Sequence, residues 1–111
     1  MIAEDVATSY LLTKGFVVLQ RNYCLKNNFQ GGEIDIIAKK GERIHFIEVK
    51  ARTTDKYGLG REAVTVHKQK TIRKVATVYL LKHKLYDKVA CSFDIIEIGE
   101  NNKIEYFENC F

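Results

Sequence analysis

Apolar residues recur along the chain in two spacings, which predict two helices and five strands. Two stretches repeat apolar positions every three to four residues, as a helix with one buried face does: residues 2–14 and 66–84. Five short runs rich in β-branched and aromatic residues are typical of strands: residues 16–23, 34–38, 44–49, 89–98 and 103–107. Gly15 follows the first helix as a stop signal, and Thr65 precedes the second as an N-cap.

The resulting order, αβββαββ, predicts an α/β fold with a mixed sheet and one helix on each face. The connection that leaves the strand at residues 44–51, runs through the long helix and enters the strand at 89–98 is a crossover, so these two strands should be parallel. At 111 residues the chain has room for one core, and residues 1–111 are expected to form one domain.

The second and third strands form a predicted hairpin around the polar segment at residues 39–43. A two-residue turn at Gly41-Glu42, with glycine first, pairs Lys40 with Arg43. Counted outward from this turn, the register fixes every other pair of the hairpin.

In that register Asp35 lies opposite Glu48, and Glu33 lies opposite Lys50. Since side chains two residues apart share a face, all four charged groups are expected on one face of the hairpin. The other row is aliphatic: Ile34, Ile36, Ile47 and Val49. Opposed carboxylates repel unless a cation neutralises them, and Mg²⁺ or Mn²⁺ prefers such oxygen ligands.

A lysine next to such an ion can orient or deprotonate an attacking water, or stabilise a pentavalent phosphate. The alternative is that Glu48-x-Lys50 is a solvated outer face, which is the commoner role of such a pattern. Ile37 and Phe46 argue against this alternative, because they make the acidic face apolar as well. A hairpin buried on both faces makes unused charges costly.

Two segments carry a resemblance to a known family. Gly31-x-x-x-Asp35-Ile36-Ile37-Ala38, followed by the segment from Phe46 to Arg52, resembles the core of the PD-(D/E)xK nucleases. More narrowly, the chain resembles the YraN-like proteins, which are similar to archaeal Holliday junction resolvases. The similarity extends to further positions along the chain: Glu4 with Ala7 and Leu11, Ala63 to Thr65, Lys68, and Phe93-Asp94.

The resemblance implies a restriction-endonuclease-like sheet and Mg²⁺- or Mn²⁺-dependent hydrolysis of DNA phosphodiesters, including branched or junction DNA. It implies that Asp35, Glu48 and the carbonyl of Val49 hold the metal, and that Lys50 activates water. Glu4 would complete the site. From the sequence alone, Glu4 in a first helical turn is better explained as a partner of the helix dipole, and only the resemblance favours a role in the site.

The net charge of +4 and the pI of about 9.0 raise the expectation of a nucleic-acid partner only modestly. The polar side of the second helix is basic, and it either contacts phosphate or is solvated. Lys68 and Lys70 on this helix, with Arg52 after the hairpin, are the candidates for phosphate. Glu33 could pair with Lys50 or with a basic residue at the DNA interface. Two alternatives to a nuclease are a nucleic-acid-binding module without turnover and a domain that docks onto a DNA-processing partner.

The remaining polar residues give no second site. The odd number of cysteines, without metal spacing, predicts free thiols in the cytoplasm, and no apolar run is long enough for a membrane span. Asp94 is predicted to be structural, bonded to backbone or to a helix terminus. The histidines, at positions 45, 67 and 83, lack ligand spacing.

Aromatic residues near the C-terminus raise the question of a homodimer. Tyr106, Phe107 and Phe111 lie in the last strand and the tail. They either form an interface with a second copy or cover the edge of the chain's own core. A two-fold dimer would supply the two nicks that a symmetric junction requires.

Overall fold

The computed structural model describes residues 2–25, 32–51 and 64–111. Arg52, a predicted phosphate contact, lies outside these residues, as do Gly31 and the predicted loop at 53–60.

The described elements follow the predicted order. They are α1 (Ala3–Thr13), β1 (Val17–Cys24), β2 (Glu33–Lys40), β3 (Arg43–Ala51), α2 (Val66–Lys82), β4 (Ala90–Ile98), a 3₁₀ turn (Glu100–Asn102) and β5 (Ile104–Phe107). Helix α2 ends two residues before its predicted end, because Lys84 takes a left-handed conformation with φ 59° and the Leu85 N–H bonds back to Leu80. Within the described residues, neither helix is long and apolar enough to cross a bilayer.

The five strands lie in the order β1-β2-β3-β4-β5, and only β3 and β4 are parallel. The crossover rule applied to the sequence therefore gave the correct direction for this pair. Helix α1 packs on one face of the sheet with Leu11 against Ile36, Ile47 and Ile96. Helix α2 packs on the other face, where its buried side meets Phe46.

The hairpin register is the predicted one. Lys40 pairs with Arg43, Gly41 has a positive φ of 60°, and the pairing continues to Ile36 and Ile47. The described ladder ends there. One residue further out, the Asp35 carboxylate accepts a hydrogen bond from the Val49 N–H at 2.8 Å, so a side chain replaces a backbone partner.

One part of the face assignment was wrong. Ile34 and Ile36 were predicted to share a face, but Ile34 packs in the α2 core and Ile36 in the α1 core. In β1, Arg21 is the partner of Ile36 and Tyr23 the partner of Ile34. Asn22 lies between them with φ 51°, in the left-handed region, and such a residue interrupts the alternation of a pleated strand. Asp35 therefore sits where the sheet changes faces.

Gly32 brings the start of β2 close to α2. Its φ is 81°, and a Cβ at this position would lie 2.2 Å from the Thr71 Cγ2 atom. Glycine is therefore required here both for backbone conformation and for space. This close approach places the first turns of α2 next to the acidic end of β2.

The aromatic residues near the C-terminus cover the chain's own core. Tyr106 packs on the α1 side of the sheet, and Phe107 and Phe111 pack on the α2 side. These rings are half-buried against the chain's own core, and the homodimer stays a prediction. The three cysteines are free, as predicted.

Candidate active site

Three carboxylates from α1 and β2 converge at the open end of the hairpin. One oxygen each from Glu4, Glu33 and Asp35 lie within 4.8 Å of one another. Glu4 comes from the first turn of α1, and the other two from the beginning of β2. Partial burial and the charges of Asp35 and Glu4 raise the pKa of Glu33. The cluster therefore concentrates negative charge, as the sequence predicted for this end of the hairpin.

Asp35 is fixed in place by the neighbouring strand. Its Oδ2 atom accepts the Val49 N–H, and this bond joins β2 to β3 just beyond the end of their ladder. Because the sheet changes faces at Asp35, its carboxylate is close both to Glu4 on the α1 side and to Glu48 on the α2 side. It is the acid that links the two halves of the site.

Glu48 is the buried acid of the group, with 7% of its side chain exposed. Its Oε1 atom lies 2.9 Å from the Lys68 Nζ, and its Oε2 atom is buried without a hydrogen-bond partner in the described part of the chain. Burial and the charge of Asp35 raise the pKa of Glu48 to about 7, although Lys68 acts in the opposite direction. A buried carboxylate with one free oxygen is unusual in a folded core.

Lys68 was predicted to contact DNA phosphate, but its side chain lies against the acids of the site. It lies in the first turn of α2, where the Thr65 side chain accepts its N–H at 3.1 Å and confirms the predicted N-cap. Its ammonium group contacts Glu48 directly. The sequence gave no signal for this contact, because it depends on how closely α2 approaches β2 at Gly32.

Arg21 is a second residue that the sequence did not assign to the site. Its Nη2 atom donates to Asp5 Oδ1 at 2.9 Å and lies 3.8 Å from Glu4 Oε1, which is beyond hydrogen-bond distance. Glu4 Oε1 is likewise buried without a hydrogen bond among the described residues. Arg21 is the one charged residue of β1, and this was the available signal.

Lys50 follows Glu48 on the same face of β3 and is half-buried. The parallel register pairs it with Glu97 of β4, a buried acid that the sequence analysis did not single out. Of the other predicted contacts, Lys70 is exposed on α2, and its side chain is not placed against the acids by any described contact.

The donor set fits a hard divalent cation. It offers carboxylate oxygens from three elements, and two of these oxygens, Glu4 Oε1 and Glu48 Oε2, are buried without a hydrogen bond from any described residue. Mg²⁺ and Mn²⁺ favour carboxylate and water ligands, and a cation would supply the partner that each oxygen lacks.

A match to a family model covers residues 3–98, and its description is Uncharacterised protein family UPF0102. The chain belongs to this family. The predicted kinship is thereby confirmed at the level of the family. Among curated relatives, a UPF0102 protein of Dictyoglomus turgidum is 41% identical over 115 residues, spanning 99% of this chain and 93% of the relative.

Other family members match over similar lengths. A UPF0102 protein of Clostridioides difficile is 45% identical over 109 residues, spanning 97% of this chain and 91% of its own. A UPF0102 protein of Pelotomaculum thermopropionicum is 36% identical over 115 residues, and the match spans 99% of this chain and 92% of that protein.

A solved structure confirms the fold. The UPF0102 chain resembles Archaeoglobus fulgidus Hjc, a Holliday junction resolvase from an archaeal hyperthermophile, with a TM-score of 0.59 and 16% identity. The match covers 94% of this chain and 71% of that chain. The mixed five-stranded sheet with its two helices is thus an arrangement shared with that resolvase.

A second buried acid lies apart from this site. Asp94 is fully buried and accepts hydrogen bonds from His45 Nδ1 at 2.6 Å, from the Asn109 N–H at 3.0 Å, and from the hydroxyls of Ser92 and Tyr106. The predicted structural role with a backbone partner is confirmed, whereas a helix terminus takes no part in it.

Proposed function

We propose that this chain is a metal-dependent endonuclease that hydrolyses DNA phosphodiesters, with branched or junction DNA as the preferred substrate. The observation that carries the proposal is the pair of buried oxygens on Glu4 and Glu48 that have no hydrogen bond from any described residue, near Asp35 and Lys68. The fold shared with Hjc, a Holliday junction resolvase, supports a nuclease and favours junction DNA as its substrate.

Asp35 and Glu48, with the carbonyl of Val49, would hold Mg²⁺ or Mn²⁺, and Glu4 would complete the set. A divalent cation bound there supplies charge neutralisation at the phosphate and a more acidic water. Asp35 contributes by orientation: its second oxygen is held by the Val49 N–H, so the remaining oxygen is directed by the fold.

Lys50 would act on the reacting groups. From the face of β3 that carries Glu48, its ammonium can orient the attacking water and stabilise negative charge on the pentavalent phosphate. Glu97, its neighbour in register on β4, would position this side chain without touching the substrate.

Lys68 would have two successive roles. In the metal-free chain its ammonium neutralises Glu48 at 2.9 Å. When Glu48 has a divalent partner, the same ammonium is free to contact a DNA phosphate. Metal binding would therefore favour DNA binding, with Lys70, Arg52 and the basic helix face adding electrostatic attraction. Glu33, the most exposed acid, would lie at the DNA side of the cluster.

Other parts of the proposal concern the whole chain. We propose that residues 1–111 act as one domain in the cytoplasm, where DNA is available. A two-fold dimer would place one site on each strand of a symmetric junction. A binding module without turnover, or a docking domain, would have no use for two buried carboxylate oxygens that no described residue hydrogen-bonds, which is why we favour the nuclease.

The test is a cleavage assay on junction, flap and duplex DNA with Mg²⁺ or Mn²⁺. Asp35→Asn and Glu48→Gln should abolish cleavage. Lys50→Ala should lower it by about a hundredfold or more while DNA affinity is retained, because this lysine acts chiefly in the transition state. Glu42→Gln, an exposed acid in the hairpin turn, is the matched control and should be fully active. DNA binding in wild type without cleavage of any substrate would favour the binding module.

A further inference from the structure

A second polar site lies at the opposite end of the hairpin. A cavity of about 290 Å³ is lined by Phe16, Lys40, Arg43, His45 and Glu108. Asp35 and Lys40 are five residues apart on β2, which is roughly 17 Å along a strand. None of the lining residues belongs to the acidic cluster, so the cavity is separate from the proposed cleavage site.

His45 is the buried polar member of the lining, with 4% of the residue exposed. Its Nδ1 atom is 2.6 Å from Asp94 Oδ2, and an ionised carboxylate can only accept, so Nδ1 carries the proton. The Phe16 ring meets the imidazole edge-on at 5.1 Å between centroids. The imidazole is thus locked by Asp94 on one side and by Phe16 on another, with its Nε2 atom as the remaining polar group.

Two cationic side chains complete the lining. The Lys40 Nζ lies 5.1 Å from the centre of the Phe16 ring, so the flexible lysine is held over a fixed surface. The Arg43 Nη1 donates to the Cys91 carbonyl at 3.2 Å, which anchors the guanidinium while leaving its other N–H groups available. Glu108 is the one acid among the five lining residues, and it is exposed.

We propose that this cavity binds a phosphoryl group. An anchored guanidinium and an ammonium beside one small cavity are donors that suit a tetrahedral oxyanion, and the neighbouring His45 imidazole is placed to report its binding. Metal cations are disfavoured by the two positive charges. The phosphoryl group belongs either to a nucleic-acid strand that crosses the hairpin turn or to a free nucleotide, and both sources present the same oxygen atoms.

The first measurement is titration of metal-free wild-type protein with inorganic phosphate, followed through the imidazole NMR signals of His45 and through thermal unfolding. We expect saturable binding in the millimolar range. Lys40→Gln should weaken it by about fivefold to tenfold, because one charge-assisted hydrogen bond to the anion is lost. Lys39→Gln removes an equal charge from the adjacent exposed position and should leave the affinity within twofold of wild type.

Glu108→Gln removes a negative charge from the cavity lining, so its effect on phosphate affinity should be opposite to that of Lys40→Gln. Removal of the single lining acid should tighten phosphate binding. Equal weakening by Lys39→Gln and Lys40→Gln would overturn the proposal, because it would indicate general surface charge. So would the absence of any saturable shift at His45.

A second measurement separates the two sources of the phosphoryl group. Wild type and Lys40→Gln are titrated with a nucleoside monophosphate and with an oligonucleotide in the presence of chelator, so that no cleavage occurs. A Lys40 effect on either ligand supports the site, and the ligand affected identifies the source. No Lys40 effect on either would overturn it. Since metal is absent, failure here leaves the proposed nuclease activity untouched.

Discussion

Two of the buried acids, Glu48 and Asp94, lie on neighbouring, parallel strands, yet their environments are opposite. Asp94 accepts four hydrogen bonds, from side chains and from one backbone N–H. Glu48 has a single lysine partner on one oxygen and none on the other among the described residues. A buried carboxylate whose oxygens are all hydrogen-bonded is typical of a group that stabilises the fold, whereas one with an unbonded oxygen is what the proposed metal site requires.

The largest effect is expected on the satisfied side. Asp94→Ala should lower the free energy of unfolding by about 3–5 kcal/mol, because it leaves several buried donors without an acceptor. Chemical unfolding of metal-free protein measures this loss. Glu100→Gln, in the exposed 3₁₀ turn, is the control. A loss below about 1 kcal/mol would mean that the network around Asp94 is not a structural element.

The next largest effect is stabilisation by metal, and it should depend on Glu48 and the acids next to it. Saturating Mg²⁺ or Mn²⁺ should stabilise the wild type by roughly 2.7 kcal/mol at a hundredfold excess over Kd. Asp35→Ala and Glu48→Ala should abolish this gain, since each removes a proposed ligand. Calorimetry with and without metal measures it, and Glu42→Ala should keep the full gain. If metal stabilised wild type and all three variants equally, the ion would bind at a site that includes neither Asp35 nor Glu48.

The same contrast gives a pH dependence. The pKa of Glu48 is raised to about 7 from an ordinary value of 4.5, so the folded chain binds more protons than the unfolded chain between these values. Metal-free stability should therefore fall as pH rises from about 4.5 to about 7, by on the order of 2 kcal/mol. Metal affinity should rise over the same interval, because the ligand must be ionised.

Glu48→Gln distinguishes this residue from other titrating groups. In that variant the fall in metal-free stability between pH 5 and pH 7 should become flatter than in wild type, as measured by chemical unfolding at each pH. Glu33 titrates in the same direction and leaves a smaller residual slope. An unchanged slope in Glu48→Gln would show that burial does not raise the pKa of Glu48 as described.

Most of the fold follows from local sequence signals, and the fine geometry of the site does not. Gly41 fixed the hairpin turn, and from it the register that brings Asp35 near Glu48 could be counted. The crossover length fixed the parallel pair. Ile34 was assigned to the wrong face because the left-handed conformation of Asn22 interrupts a strict alternation, and asparagine tolerates that conformation without requiring it.

Contacts between distant elements were the other limit. The meeting of Lys68 and Glu48 requires α2 to approach β2 within the space left by Gly32, and no periodicity in the sequence reports that distance. The four partners of Asp94 are likewise spread from His45 to Asn109. Sequence reasoning therefore identified the acids, but not which of them would lack partners.

The smallest expected effect concerns Lys68, the partial partner of Glu48. Lys68→Ala removes a partly exposed ion pair, so metal-free stability should change by less than about 1 kcal/mol. Metal affinity should rise slightly, because the cation no longer competes with the ammonium for Glu48. DNA affinity should fall, and its salt dependence should flatten by about one unit of slope.

Lys74→Ala is the matched control, since this lysine is exposed on the same helix at a greater distance from the acids. Lys74→Ala should leave metal affinity unchanged. Its only effect should be a weaker dependence of DNA affinity on salt concentration. Calorimetric titration with Mn²⁺ and DNA binding at several salt concentrations measure both quantities. If Lys68→Ala instead weakened metal binding, the ammonium would help to hold the metal ligands in place. It would not compete with the metal for Glu48. Glu48 would then be an acid whose charge is satisfied by the protein itself, as that of Asp94 is.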